Sequence, residues 1–196
     1  MVGGPSPLAG TLVVNEVLID GRIDRDANGD GDIEGVGDAF VELVNPGAEA
    51  VPLAGLVIVE SDLSTLVRHT FPAEAVIPPG EAYVVFGGGT PSDALIATPG
   101  ATFAVANAAD PAFPLGLHLD DDGDTLRILD GDLLEVVRFT YGDHCPEDDD
   151  ACPEAAADRS LTRAPDIVGP WTPHDMAAPG VVISPGTRAD GDFFGQ

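Results

Sequence analysis

The sequence predicts an all-β fold, a sandwich or a barrel, and three observations carry that prediction. Glycine and proline number 24 and 18 of 196 residues, and in a helix interior proline costs ~3 kcal/mol and glycine ~1 kcal/mol relative to alanine. The apolar residues fall in short runs with period-two alternation, bounded by turn formers. Asp-Gly, the strongest short hairpin signal, separates apolar runs at Asp122-Gly123 and again at Asp130-Gly131. Nothing has the periodicity of a long amphipathic helix.

Taken in order, residues 11–19 (TLVVNEVLI) read as a first strand. A polar stretch over 20–38 follows, and residues 39–45 (AFVELVN) return as a strand that ends at the turn Asn45-Pro46-Gly47. Residues 56–60 (LVIVE) and 66–71 are the next apolar runs. Pro78-Pro79-Gly80 turns the chain into 82–86 (AYVVF), apolar enough for a buried strand, and 102–106 is another. Residues 115–119 lead through Asp122-Gly123 to 125–129, then through Asp130-Gly131 to 133–141. Beyond Tyr141 the chain loosens into long proline-rich loops, with a short strand around 159–163 and Trp171 expected as a lid on the core. No compositional break or repeat divides the chain. It reads as a linker over 1–10, one domain over 11–190 and a tail over 191–196.

The charge balance narrows the partners. Eight basic residues, all arginine, face 34 acidic ones for a net charge of −26. Hydrophobic residues make up 44%, too many for a disordered acidic tail, so the charge belongs to a folded body. Nucleic acid and anionic membrane surfaces require a positive footprint, which eight scattered arginines do not supply. No apolar stretch approaches the ~18 residues of a membrane helix, so no membrane insertion is expected. Residues 1–7 (MVGGPSP) lack the charged start and apolar core of a signal peptide; for an exported protein the signal or anchor would lie outside this chain.

Cys145 and Cys152 lie in an acidic, proline-flanked loop, HCPEDDDACP. Little apolar material is available there to bury a free thiol, so a local disulfide and an oxidising compartment are expected. The rival is a zinc site using both thiols with His144 or His174, although six intervening residues exceed the usual spacing of a zinc pair.

Residues 24–38 concentrate five aspartates and a glutamate, a crowding that a cation would relieve. D-x-[DN]-x-[DN]-G opens a calcium loop, with oxygen ligands at alternate positions and glycine for the sharp turn. In the better of two registers Asp26, Asn28 and Asp30 fill positions one, three and five, and Gly31 is sixth. Asp32 offers its carbonyl at the seventh position and Ile33 is the apolar eighth. Position twelve is Gly37 rather than glutamate, so Asp38 is the substitute, with Asp24 and Glu42 in reserve. The expectation is an EF-like Ca2+ loop carried between strands. The run Asp120-Asp121-Asp122-Gly123-Asp124 reads more simply as a hairpin turn, and Asp148-Asp149-Asp150 as solvated charge.

Little suggests catalysis. No serine sits in a G-x-S-x-G elbow. His69 and His118 alternate with strand residues and read as strand-face or surface groups rather than bases. Gly87-Gly88-Gly89 has no lysine or helix with which to hold a phosphate and reads as a flexible loop.

The segments VVNEVLID, DANGDGDIEGVGDAFVELVNPG, VPLAGLVIVE and RHTFPAEAVIPPGEAYVVFGGG, followed by LHLDDDGDTLRILD, VVRFTYGD and DRSLTRAPDIVGPW…SPGTRADG, closely resemble the bacterial lamin-tail domain, from about residue 12 to residue 190. The order N-E-V-L, F-V-E-L-x-N, P-P-G-x-x-x-V-V-F is the most specific part. The resemblance implies an immunoglobulin-like β-sandwich, here with the acidic EF-like calcium loop inserted and long C-terminal loops, in an exported prokaryotic version without an active site of its own. It supports Asp26, Asn28, Asp30, Asp32 and Asp38 as ligands, because a D-x-N-x-D-G insertion is common in bacterial members. The expected function is a non-catalytic, calcium-stabilised structural, adhesive or protein-binding module at the cell surface or beyond it. The alternative is an accessory domain that targets a secreted hydrolase. A metal-dependent phosphodiester-cleaving site conflicts with the charge balance.

Overall fold

The computed structural model describes residues 5–19, 25–60, 66–107, 116–156 and 158–196. Two sheets face one another across the main core. The first has six strands in the order β12 (Trp171–Pro173), β11 (Leu161–Arg163), β1 (Val13–Leu18), β2 (Phe40–Val44), β7 (Ala82–Phe86) and β8 (Ala101–Val105). The second has four, in the order β10 (Glu135–Gly142), β9 (Gly123–Leu129), β4 (Val57–Glu60) and β5 (Val67–Thr70). A two-stranded ribbon pairs β3 (Val51–Pro52) with β6 (Val76–Ile77). Pairing is antiparallel except between β7 and β8, which run parallel. The chain is a β-sandwich, mostly β, consistent with an immunoglobulin-like fold.

Alternation sets the layers. Val41 and Leu43 of β2 and Tyr83 and Val85 of β7 point inward and meet Ile58, Leu126, Ile128 and Phe139 of the opposite sheet. Phe40, Val84 and Phe86, the intervening residues, point outward, yet all are fully buried. They are covered by Val182, Ile183 and Phe103, while Phe194 closes over Val44 and Ala82 at the other end of the same face. The six-stranded sheet therefore lies between two apolar layers, which is why FVELV and AYVVF have no exposed position. A β-bulge between Val14 and Glu16 keeps Val14 and Val17 in the inner core while turning Glu16 outward.

Most expected strands fall within a residue or two of the observed ones, and Trp171 packs on the core as expected, 4.5 Å from the Phe139 ring centre. The segment 115–119 is different. Its described residues 116–119 form no strand: Leu117 drops into the core and His118 takes φ 52°. Gly123 consequently opens β9, opposite Gly142 of β10, instead of turning a hairpin. Among the described leucines there, Leu117 is fully buried and Leu119 packs partly buried against the core. The second hairpin is real, but its loop is wider, because Asp130 Oδ1 accepts N–H bonds from Asp132 and Leu134. Leu133, expected in the strand, is left at φ 60° and exposed.

Packing extends beyond the boundaries read at residues 10 and 191. Ser6 is buried, Leu8 packs against the main core, and Phe194 is 1% exposed. Cys145 and Cys152 form a disulfide, which overturns the zinc alternative because neither sulfur is a free thiolate. Their sequence separation is only 7, so closing the loop contributes at most about 2–3 kcal/mol by chain entropy. Reduction should lower the thermal midpoint by several degrees without unfolding the sandwich at room temperature, as differential scanning calorimetry with and without reductant would register.

Candidate functional site

The acidic loop is a folded element. Asp26 Oδ1 accepts the N–H groups of Gly29 and Asp30, and its Oδ2 accepts that of Gly31 at 2.6 Å. Asn28 Oδ1 accepts from Asp30 N, and Asp30 Oδ1 from Asp32 N. The Asp32 N–H first, then the Thr90 N–H and the Asn28 side chain, lower the pKa of Asp30. Side-chain oxygens at alternate positions thus wind the backbone into successive Asx turns, with Gly31 at φ 101° in the sixth position. Asp38, at the end of the short helical turn α1 (Gly35–Asp38), closes the loop from inside. Fully buried, it accepts from Ala27 N, Asn28 N and Glu34 N.

Gly87-Gly88-Gly89 is the seat of this loop, which corrects the flexible-loop reading. Gly87 N donates to Ala39 O and Gly88 N to Gly37 O, while Asn28 Nδ2 donates to Gly88 O and Thr90 N to Asp30 Oδ2. A Cβ on Gly87 would fall inside the van der Waals shell of the Val36 carbonyl oxygen. One on Gly89, already at φ 69°, would strike the Asn28 and Asp30 side chains. Three glycines follow β7 because two backbones approach there more closely than any side chain permits. Ser92, which caps the short α2 (Asp93–Ile96), completes the seat by donating its N–H to Asn28 O.

The expected ligands do not all gather at one place. Asp26, Asn28 and Asp30 lie on consecutive turns of the loop, and Asp32 is exposed beside them. Asp24 lies outside the described residues. Glu42 belongs to another cluster, where Asn15 Nδ2 and Gly186 N donate to its two oxygens. Among the described residues no three Asp, Glu, His or Cys side chains form a group able to hold a metal. The donor chemistry fits a hard cation only if Asp26, Asn28 and Asp30 are supplemented by carbonyl and water oxygens, as in EF-type loops.

A second polar cluster was not foreseen. Glu16 and Glu42 are register partners across β1 and β2, and both are fully buried. Glu16 accepts Ser160 Oγ–H at 2.6 Å and Ser184 N–H at 2.9 Å on Oε1, while its Oε2 lies 2.6 Å from Ser184 Oγ. His174, which opens the turn α3 (His174–Ala177), places Nε2 2.8 Å from Ser184 Oγ and Nδ1 3.3 Å from Val181 O. Burial pushes Glu16 above the usual carboxylate range, and burial with the neighbouring Glu16 pushes Glu42 well above it. Alternation in FVELV, and the bulge in VVNEVL, place both glutamates on the outer face. What made that position costly, the layer covering it, could not be read from proline-rich sequence.

The remaining titratable groups divide between the core and its rim. His69, expected on a strand face, is buried edge-on against Phe71 at 4.7 Å, and burial lowers its pKa. His118 lies 3.6 Å from Glu60, which also pairs with Arg68. Asp124, in the second acidic run, is buried and its pKa is raised mainly by that burial. Tyr141 anchors the run by donating to Asp120 O at 2.7 Å.

This sandwich, with N-E-V-L on β1 and F-V-E-L on β2 at its centre, can be set against known families. The sequence profile described as Lamin Tail Domain matches residues 5–143. The chain belongs to the lamin tail domain family. No curated protein matches it. The lamin tail domain match takes in the acidic loop, its glycine seat and the strands β1–β10, but ends before β11 and β12. Those two strands and the layer over the outer face lie beyond the matched residues, and so do Ser160, His174 and Ser184.

Proposed function

We propose that this lamin tail domain is a non-catalytic, calcium-stabilised module of an exported bacterial protein, serving a structural, adhesive or protein-binding role. The observation that carries the reading is the family match over most of the chain, joined to a sandwich in which the buried Glu16, Glu42 and His174 are engaged by Asn15, Ser160 and Ser184. The disulfide is compatible with an oxidising, extracytoplasmic setting, and among the described residues no helix is long and apolar enough to cross a membrane. With a charge of −26, the module favours cations and basic surfaces over nucleic acid.

Calcium enters at the acidic loop, where Asp26, Asn28 and Asp30 are the side-chain donors, the Asp32 carbonyl completes the register, and Asp38 fixes the loop's closing end. Affinity in the range of extracellular modules, roughly 10⁻⁴–10⁻³ M, is expected. A ligand bound only by the folded state raises stability by about 2.7 kcal/mol at a hundredfold excess over Kd. Thermal unfolding at saturating calcium and in chelator should therefore differ by several degrees, and a D26N/D30N double variant should abolish the difference. Equal midpoints in the native chain would remove calcium from the reading. Hydrolysis of a chromogenic phosphodiester in calcium or magnesium would overturn its non-catalytic part.

A further inference from the structure

The outer layer of the sandwich is fastened through one chain of short contacts, and its hydrogen bonds can be counted. Glu16 Oε2, Ser184 Oγ, His174 Nδ1 and Nε2, and Val181 O form a line: 2.6 Å from carboxylate to hydroxyl, 2.8 Å from hydroxyl to imidazole, 3.3 Å from imidazole to carbonyl. The carbonyl can only accept, so Nδ1 must carry a hydrogen. The serine hydroxyl has one hydrogen to give, either to Glu16 or to Nε2. If it goes to Glu16, Nε2 must also carry a hydrogen and His174 is an imidazolium. If it goes to Nε2, Glu16 must be a neutral acid that donates to Ser184. Either way one proton beyond the carboxylate and the neutral imidazole resides in the line. Without it, two lone pairs confront each other at hydrogen-bond distance in a dry site.

We propose that Glu16, Ser184 and His174 form a one-proton latch that fastens residues 181–195 over the outer face of the six-stranded sheet and releases them when the proton leaves. The fastened segment carries Val182, Ile183 and Phe194 onto that face. Ser184 N and Gly186 N, which bond to Glu16 and Glu42, hold it along its length. The groups around the latch favour keeping the proton. Glu42 on β2 and Asp166, which shares Asn15 Nδ2 with it, are anionic or acidic. Arg159 is engaged by Asp175, and Arg188 of the segment lies over the Phe194 ring. Burial raises the Glu16 carboxyl above its ordinary value. Stability contributed by a group whose pKa is raised on folding is complete below the unfolded value and disappears as pH rises through the folded one. The latch thus holds in acid and opens toward alkaline pH, uncovering Leu18, Phe40, Val84 and Phe86.

Hydrogen exchange followed by mass spectrometry from about pH 5 to about pH 9, corrected for intrinsic exchange, tests this on the whole chain. Protection over 181–195 should fall about tenfold or more while protection of β2 and β7 holds. Glu16→Gln should abolish the fall. Its amide oxygen can accept from Ser160 and Ser184 N, and its NH2 can donate to Ser184 Oγ, which reproduces the protonated line. Constant protection in the native chain would overturn the latch, as would loss in step with β2 and β7, or an unchanged fall in Glu16→Gln. The native pH series decides the matter by itself should that variant not fold.

Discussion

Truncation after Asp158 should abolish cooperative unfolding of this chain, although the shortened protein would retain every residue of the family match. The cut removes β11, which pairs with β1 at Glu16↔Thr162 and Val17↔Leu161, and with it β12. It also removes Val182 and Ile183 from over Leu18, Phe40, Val84 and Phe86, all 0% exposed in the intact chain, while Leu95 and Phe103 stay. Re-exposing side chains of this size costs about 1.5–3 kcal/mol each, so these four alone approach or exceed the whole stability of an ordinary domain, about 5–15 kcal/mol. Glu16 would lose Ser160 and both Ser184 donors at the same time. The expected product is aggregation-prone, without a sharp thermal transition in circular dichroism and with strong binding of a hydrophobic dye. A soluble, cooperatively folding fragment 1–158 would show that the outer layer is dispensable.

The second large effect is expected at Gly87. In Gly87→Ala the new methyl group meets backbone, the Val36 carbonyl, rather than a side chain that could swing aside. Either β7 or the 36–39 turn must move, and the Gly87 N–H to Ala39 O bond at 2.7 Å is broken by the same displacement. Overpacking a tight site costs about 1–3 kcal/mol, and a lost buried backbone bond adds about 1–3 kcal/mol. A drop of roughly 2–6 kcal/mol should appear in urea unfolding, with increased amide exchange over 27–38 in the folded state. Because the seat positions Asn28 and Asp30, any calcium-dependent stabilisation should shrink as well. Gly131→Ala is the control: a Cβ there meets nothing within 4 Å.

The sandwich was legible wherever two sheets impose alternation on a strand of four or more residues. AFVELVN, LVIVE and AYVVF read correctly because each buries a set of alternate residues against the opposite sheet. The two-residue strands β3 and β6 are too short to alternate, and β12, wedged between prolines, has no pattern of its own. LGLHL misled for the converse reason: a turn that buries Leu117 and packs Leu119 partly against the core leaves the same spacing as a strand. At the candidate site, the turns at Gly29 and Gly31 were legible in D-x-N-x-D-G, since the Asx bonds are local. What the loop rests on was invisible, because a glycine required for close approach and one required for freedom are the same letter. The buried Glu16 was hidden similarly. In N-E-V-L a glutamate beside a β-bulge reads as surface, and the groups that bury it lie up to 168 positions further along.

That separation bears on how the protein can be made. The first strand has its neighbour β11 and the donors to its glutamate more than 140 positions downstream, so this part of the domain cannot close until residues 160–184 have been made. Contacts of such long range are formed late and slowly. Before β11 is made, β1 lacks one of its two neighbours, and the high negative charge opposes collapse.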